Sequence, residues 1–449
     1  MPRNQSSPLS QPMFSEPTFN EQGTPTPDPT SFRTPHDPKQ DDILYNEFKK
    51  LMEKDTVSFD TIRGKNDDIL SLATALGSNG PSDVQDIQKS GKVVFHAIGD
   101  SGASNERKLP GELNVADHLT NDFNASTGAD RPAFLYHLGD VVYSFGESQF
   151  YYDQFYEPFR NYPAPIFAIP GNHDSFVIPG TQSGETPLDI FTRNFCSPTL
   201  QITKEAYSLH RTAMTQPGVY FALDAPFVRI IGLFSNALED PGLISSQSGQ
   251  KTTWPGVPDY QLDFLAAQLK RIKAEKYTGA VIIAVHHPPF TYAPSGSTKS
   301  GHVGNTMMLR EIDAICQAQG VYPHAFLSGH AHNYQRYTRN LSFDGNDYSV
   351  PFVVAGNGGH NITLLPGSQK STIDTYEPIA DVQVDYLDPN PVLKTKGLTL
   401  DMSNDRNYGY LRVTVDSKRL QIEMHTLSSH TVPASVDKVA VDIASHKIA

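Results

Sequence analysis

The stretch FLYHLGDVVYSFG, residues 134–146, joins a short apolar run to an acidic turn. The run Phe134 to Leu138 is predicted as a β-strand because it is apolar, short and followed by a turn. Asp140 comes directly after the glycine that ends it, and Tyr143 follows three residues later. In α/β proteins, ligands gather beyond the carboxyl ends of strands. This stretch therefore predicts a functional acid on an α/β fold.

Four further predicted strands end in the same way. They are VVFHAIGDSG (93–102), IFAIPGNHD (166–174), VIIAVHHPP (281–289) and HAFLSGHAH (324–332). Each fragment alone is weak evidence, because a Gly-Asp pair is also an ordinary turn signal. Five such strand ends in one chain indicate a single site. The side chains that would meet there are Asp100, Asp140, Tyr143, Asn172, His173, His286, His287, His330 and His332.

The rest of the chain supports an α/β sandwich. Further strands are predicted at 219–223, 228–234 and 352–355, with a hairpin over 408–427. Apolar residues at helical spacing predict helices over 41–54, 66–77 and 259–275. Strands interleaved with helices are typical of layered α/β architectures.

Composition divides the chain into four parts. Residues 1–40 are rich in Pro, Ser, Thr and Gln and are predicted to be a disordered tail. Residues 41–91 are predicted to form a helical N-terminal extension, 92–430 the catalytic domain, and 431–449 a C-terminal tail.

Bulk charge and cysteine content exclude several classes. The chain has 36 basic and 49 acidic residues, a net charge of −13, which argues against binding of nucleic acid or a membrane surface. Cys196 and Cys316 are far apart and predict neither a thiolate metal site nor a disulfide framework. No apolar run reaches the length of about 18 residues that spans a bilayer, and no signal peptide is seen. The default expectation is a cytoplasmic enzyme with a small phosphorylated substrate; the sequence does not indicate an oligomeric state.

The kinds of side chain at the five strand ends indicate a metal centre. Carboxylate, amide and imidazole ligands together suit Fe, Zn or Mn better than Ca or Cu(I). A carboxylate can offer one oxygen to each of two cations and so hold them close together.

The series GD, GDxxY, GNHD, H and GHxH resembles the calcineurin-like metallophosphoesterase superfamily, and in detail the purple acid phosphatases. The resemblance covers about residues 92–430. It implies a four-layer α/β/β/α sandwich with a two-metal centre. Most of the superfamily carries D-x-H in the first motif, whereas the purple phosphatases carry D-x-G and take the missing ligand from the tyrosine of GDxxY. Gly102 and Tyr143 match this second pattern.

The resemblance also implies a role for each matching residue. A first metal, Fe(III), would be held by Asp100, Asp140, Tyr143 and His332. A second metal, Fe, Zn or Mn, would be held by Asp140, Asn172, His286 and His330, with Asp140 as the bridge. A metal-bound hydroxide would attack phosphorus while His173 protonates the leaving group as general acid.

Three other histidines have open roles. Relatives carry extra substrate-orienting histidines nine or ten residues after the fourth motif, where this chain has Ser295 and Gly296. His302 could replace them, although a solvated loop is the ordinary expectation for such a residue. His287 is expected either to support a metal ligand or simply to pack, and His360, in AGNGGHN, either to line the pocket or not.

The leading hypothesis is hydrolysis of phosphate monoesters. The alternatives are a phosphodiesterase acting on nucleotides or other diesters with the same two-metal core, and a non-catalytic relative that binds phosphate. A phosphoprotein phosphatase is disfavoured, because IPGNHDSFV lacks the arginine that those enzymes carry beside the GNH motif.

Overall fold

The structure is a computed structural model that describes most of the chain. The described ranges are 38–53, 68–179, 184–207, 209, 211–235, 242–245, 259–293, 302–368, 378–385, 391–427 and 435–449. The predicted tail before residue 38 and the predicted helix start at Asn66 lie outside them.

Two β-sheets form the centre of the described molecule. The first has nine strands in the order β1-β5-β6-β7-β8-β10-β9-β12-β11. The second has seven, in the order β16-β15-β14-β13-β2-β3-β4. Their bounds are β1 Ile69–Ser71, β2 Lys92–Ile98, β3 Leu135–His137, β4 Ile166–Ala168, β5 Phe221–Ala225, β6 Val228–Leu233, β7 Ala280–Val285, β8 Ala325–Ser328, β9 Tyr334–Phe343, β10 Asn346–Ala355, β11 Val382–Gln383, β12 Thr395–Asn404, β13 Gly409–Asp416, β14 Arg419–Thr426, β15 Ser435–Asp442 and β16 Lys447–Ile448.

Helices cover the outer faces of both sheets. They are α1 Pro38–Glu53, α2 Leu72–Ala75, α3 Gly80–Ser90, α4 Leu109–Ala125, α5 Ser148–Tyr151, α6 Asp189–Phe195, α7 Tyr260–Ala274 and α8 Thr306–Gln319. Helices α3 and α4 contact the seven-stranded sheet, whereas α7 packs on β6 of the nine-stranded sheet and against α8. Tyr136 of β3 and Phe221 of β5 stack across the interface between the sheets, with ring centroids 6.3 Å apart. The predicted α/β/β/α sandwich with a helical N-terminal extension is confirmed.

Parallel strands carry the functional ends. In the seven-stranded sheet β2, β3 and β4 run parallel. In the other sheet β7, β8 and β10 run parallel. All six residues of β7, AVIIAV, are buried, as expected of a strand covered on both faces. The carboxyl ends of these six strands meet at one edge of the sandwich.

The helix predicted over 66–77 needs correction. Ile69 to Ser71 instead pair in parallel with β5, which makes this segment an edge strand of the nine-stranded sheet. The helix begins only at Leu72, where the side chain of Ser71 accepts a hydrogen bond of 3.1 Å from the backbone N–H of Thr74. Strand pairing and an N-cap thus override the helical spacing of apolar residues.

The tail predicted over 431–449 also needs correction, because 435–442 form β15 on the edge of β14. Val439 and Val441 alternate with polar residues and are buried against the sheet. That alternation in SVDKVAVD is a strand signal in the sequence. The division of the chain into domains otherwise stays a prediction. Within the described ranges, no helix has the length and apolar character required to traverse a bilayer.

Candidate metal centre and active site

All five predicted strand ends converge. Hydrogen bonds cross from one sheet to the other at this point: the backbone N–H of His330 donates to Oδ2 of Asp100 at 2.7 Å, and Nδ1 of His286 lies 2.8 Å from the carbonyl oxygen of Leu138. The site therefore straddles the two sheets.

Tyr143 and two aspartates form the first half of the site. The hydroxyl of Tyr143 donates to Oδ2 of Asp140 at 2.7 Å and to Oδ1 of Asp100 at 3.0 Å. Nε2 of His332 is 3.2 Å from the same hydroxyl. These four side chains are the set assigned from the sequence to the first metal.

Histidines, an asparagine and the shared aspartate form the second half. Nε2 of His286 lies 3.1 Å from Oδ1 of Asn172 and 3.4 Å from Oδ2 of Asp140. Ligand atoms of Asp140, His286 and His330 all lie within 4.8 Å of one another. The four side chains assigned to the second metal thus adjoin the first group, with Asp140 common to both.

The backbone at three of these residues is left-handed. Asp100, Asp140 and His330 have φ values of 59°, 55° and 68°. Such a conformation is uncommon for residues with a side chain and occurs preferentially at functional sites. Gly171 gives the loops room, because an added Cβ would lie 2.1 Å from Oδ1 of Asp140.

Gly102 occupies the position where a histidine would stand in D-x-H. An added Cβ would lie 2.6 Å from the carbonyl oxygen of Val141 and 2.7 Å from Cα of Val142. Both contacts are with backbone, which cannot turn aside as a side chain can. The loop after β3, which carries Tyr143, therefore packs directly against the backbone of residue 102, and no side chain fits there.

The buried acids need a positive partner. Burial and the neighbouring carboxylate of Asp140 raise the pKa of Asp100 to about 8. Burial and the two carboxylates raise the pKa of Tyr143 well above its ordinary value. For Asp140 burial acts in the same upward direction, but His286 and His173 outweigh it and lower its pKa. A bound cation would stabilise the anionic forms of all three groups.

The imidazoles are prepared to act as lone-pair donors. Burial, followed by the neighbouring His302, lowers the pKa of both His330 and His332 well below the ordinary value. Neutral imidazole is the form that binds metals. His286 differs, because the carboxylates of Asp140 and Asp100 outweigh its burial and raise its pKa to about 9. Buried acids, a phenol, an amide and neutral imidazoles within contact distance fit a pair of metal ions.

His173 lies beside the two groups with its ring held by a loop. Nδ1 is 2.9 Å from the carbonyl oxygen of Ser144, and its backbone N–H donates to Oδ1 of Asp140 at 2.9 Å. A carbonyl oxygen only accepts, so Nδ1 carries the proton of that hydrogen bond and Nε2 is the nitrogen left for substrate. Burial lowers the pKa of His173.

The three histidines with open roles all adjoin the centre. The ring of His302 is 4.1 Å from that of His330, and His302 is half-buried, so the expected solvated loop is corrected. It borders a cleft of about 280 Å³ that also reaches His332. His287 is buried, lies 4.1 Å from the ring of His330 and hydrogen-bonds Oγ of Ser235 at 2.7 Å. His360 is buried, with its ring centroid 3.5 Å from that of Tyr143.

Two residues of the site were missed by sequence reasoning. Asp174, the last letter of GNHD, accepts hydrogen bonds from the backbone N–H groups of Gly171, Val141 and Val142 at 2.8–3.1 Å. It ties the loop after β4 to the loop after β3, and its place in the motif was the available signal. Lys108, whose Nζ is 2.7 Å from Nε2 of His360, had no signal, because its neighbours along the chain carry no motif.

Two sheets packed face to face, with acids, an asparagine and histidines at the ends of their parallel strands, define a metal-dependent phosphoesterase. The sequence matches the family described as calcineurin-like phosphoesterase over residues 93–334, and the chain belongs to that family. Hydrolysis of phosphoesters with the help of bound metal ions is the activity of this class.

No curated protein sequence matches the chain. Two solved structures are similar to it in fold. One is described as "GAP50 the anchor in the inner membrane complex of Plasmodium", with a TM-score of 0.45, 9% identity, and coverage of 77% of this chain and 87% of that one. The other is described as "Structure of PhoD", with a TM-score of 0.46, 14% identity, and coverage of 79% of this chain and 70% of that one.

Proposed function

We propose that this chain is a phosphomonoesterase of the purple acid phosphatase type. Asp100, Asp140, Tyr143 and His332 hold one metal, Fe(III), and Asp140, Asn172, His286 and His330 hold the other, which is Fe, Zn or Mn. The carrying observation is the contact of the Tyr143 hydroxyl with Asp100, Asp140 and His332 at 2.7–3.2 Å, beside a Gly102 that has no room for a ligand.

A phenol in this position favours a hard, trivalent ion. Tyr143 has its pKa raised by burial and by two carboxylates, so only a strongly charged cation would hold it as a phenolate. The metals, when bound, supply Lewis acidity and an activated water.

The protein supplies the remaining chemistry. His173 presents Nε2 to the leaving group, because Nδ1 is engaged with Ser144, and donates the proton that the departing alkoxide needs. His302, at the edge of the cleft beside His332, and Lys108, beside His360, are placed to bind phosphate oxygens. A cation beyond the two metals favours a monoester dianion over the singly charged diester, which supports the monoesterase over the phosphodiesterase alternative.

The test is metal analysis with a visible absorption spectrum of the purified protein. We expect two metals per chain, at least one of them iron, and a charge-transfer band that Tyr143→Phe abolishes. A colourless, iron-free and active enzyme would remove the purple type while leaving phosphoester hydrolysis in place.

Turnover of p-nitrophenyl phosphate against bis(p-nitrophenyl) phosphate separates the activities. We expect the monoester to be preferred, with Asp140→Asn inactive and His173→Ala impaired. Preference for the diester would favour the phosphodiesterase, and no metal-dependent turnover of either ester would favour a phosphate-binding relative.

A further inference from the structure

The N-terminal helix α1 lies on the active site. It precedes residues 93–334, which carry the family match, and belongs to none of the five motifs. Phe48 of α1 is buried, and its ring centroid is 4.9 Å from that of Phe176, two residues after Asp174 in the GNHD loop. The helix belongs to a separate apolar cluster formed by Phe48, Phe145, Phe150, Phe176 and Leu243, with Leu44, Tyr45 and Ile178 packed against it.

Through this packing α1 brings Tyr45 onto His173. The two rings are stacked, with centroids 5.5 Å apart and planes at 20°. Tyr143 covers His173 at a centroid distance of 4.3 Å, and His360 in turn stacks on Tyr143 at 3.5 Å. Phe176 closes the edge of the His173 ring at 4.9 Å. The imidazole is therefore enclosed by aromatic rings, one of which comes from outside the matched domain.

Hydrogen bonding alone does not fix this imidazole. Among the described contacts its side chain makes one hydrogen bond, from Nδ1 to the carbonyl of Ser144. A single bond leaves the ring free to pivot about that contact, and a flat ring stacked on it removes that freedom. A general acid must lie within hydrogen-bond reach of the leaving-group oxygen, so a pivot of the ring costs turnover directly.

The hydroxyl of Tyr45 plays no part in the described hydrogen bonding. It is buried and pairs with no other described residue. The flat ring of Tyr45, and not its polar end, is thus the part in contact with the site.

We propose that α1 is a component of the active site and that Tyr45 is a positioning residue, whose ring holds the imidazole of His173 in the orientation that protonates the leaving group. The proposal rests on the proposed function, in which His173 is the general acid. As the P–O bond breaks, the proton passes from Nε2 of the imidazolium to the leaving oxygen, and the ester leaves as a neutral alcohol.

The test compares leaving groups. The p-nitrophenolate ion departs without a proton, whereas the alkoxide of glycerol 2-phosphate needs one. We expect Tyr45→Ala and Tyr45→Leu to lower kcat for glycerol 2-phosphate by about tenfold, a part of the 10²–10⁴-fold that general acids supply, and to leave kcat for p-nitrophenyl phosphate within about twofold. Tyr45→Phe keeps the ring and should match the wild type on both substrates.

Two controls keep the outcomes distinct. Ile43→Ala changes a residue of α1 that is 53% exposed, and it should affect neither substrate. His173→Ala should show the same leaving-group selectivity as Tyr45→Ala, only larger. If it does, and Tyr45→Ala either lowers both activities equally or changes neither, the role of Tyr45 is overturned while the proposed function stands. If His173→Ala shows no selectivity, the general acid itself is misassigned and the proposal for Tyr45 fails with it.

Discussion

Asp100, Asp140 and His330 show how far single residues could be predicted from the sequence. Each follows a glycine at a predicted strand end, so its identity as a candidate ligand was visible in the motif. Its left-handed backbone was not, because only the packed loops hold φ near 60°. The same holds for Tyr45 and Lys108, which reach the site from helices and loops without any motif. Chemistry-bearing motifs could be read from the sequence, whereas supporting contacts between distant segments could not.

At Gly102 we expect that even the smallest side chain disrupts the centre. Gly102→Ala would place a Cβ 2.6 Å from the carbonyl oxygen of Val141, so the loops after β2 and β3 must separate. The expected cost is about 1–3 kcal/mol in the free energy of unfolding, together with loss of bound metal. Urea denaturation and metal analysis measure both.

Gly397→Ala is the matched control for that change, because an added Cβ there has no neighbour closer than 3.8 Å. A Gly102→Ala protein with wild-type stability and full metal content would contradict the packing argument.

At Lys108 we expect a binding effect that depends on substrate charge. Nζ lies 2.7 Å from Nε2 of His360, beside the proposed phosphate site. Lys108→Met should lower kcat/KM for p-nitrophenyl phosphate by about tenfold, or about 1.4 kcal/mol, mainly through KM. The diester should be affected less, because it carries one negative charge fewer.

Lys89→Met removes an exposed lysine that pairs with Asp86 on α3, and it should change neither constant. An equal loss on monoester and diester after Lys108→Met would show that the residue acts on the structure of the loop and not on substrate charge.

At the scale of elements, strands with an unbroken apolar run could be predicted closely. The predicted 280–285 and 325–328 coincide with β7 and β8. Strands β9, β12 and β15 were missed, because they mix charged and apolar residues and owe their form to pairing with neighbours. The segment 69–71 was misassigned for the same reason: helical spacing is local, and the partner strand β5 lies about 150 residues away along the chain.

The attachment of the C-terminal strands predicts a pH effect on stability. The backbone N–H of Val281 donates to Nδ1 of His324 at 2.9 Å, and Nε2 of His324 donates to the carbonyl oxygen of Ile443 at 3.1 Å. Nδ1 must stay unprotonated to accept, and burial lowers the pKa of His324 to about 4 from an ordinary 6.5. The unfolded chain takes up a proton that the fold excludes, so this contribution is complete above pH 6.5 and is lost as the pH falls to 4.

The measurement is the free energy of unfolding in urea at pH 7.5, 5.5 and 4.5, with chelator present so that metal loss does not contribute. His324→Gln should be less stable than the wild type at pH 7.5 and should lose less on acidification. The same change at His118 on α4 serves as the control. Parallel curves for wild type and His324→Gln would rule out this histidine as a source of acid sensitivity.

At the scale of the whole molecule, metal binding should stabilise the fold. The site collects ligands from both sheets, and the buried carboxyl groups of Asp100 and Asp140 lie within contact of one phenol. A ligand that binds only the native state raises the melting temperature. Chelation should therefore lower it by a few degrees, and added metal should restore it.

In Asp140→Asn, which loses the carboxylate common to both halves of the site, the melting temperature should no longer respond to chelator. A wild-type protein that melts at the same temperature with and without chelator would contradict a centre that joins the two sheets.

The strand order has a practical consequence for making the protein. A fragment limited to residues 93–334 lacks β13, the antiparallel neighbour of β2, and β10, the parallel neighbour of β8. The backbone amides and carbonyls of two buried strands would then be open edges, right beside Asp100 and His330, and open edges pair with other chains. The span that identifies the family is thus expected to aggregate when expressed alone. Soluble protein should require the flanking strands from Ile69 to Asp442.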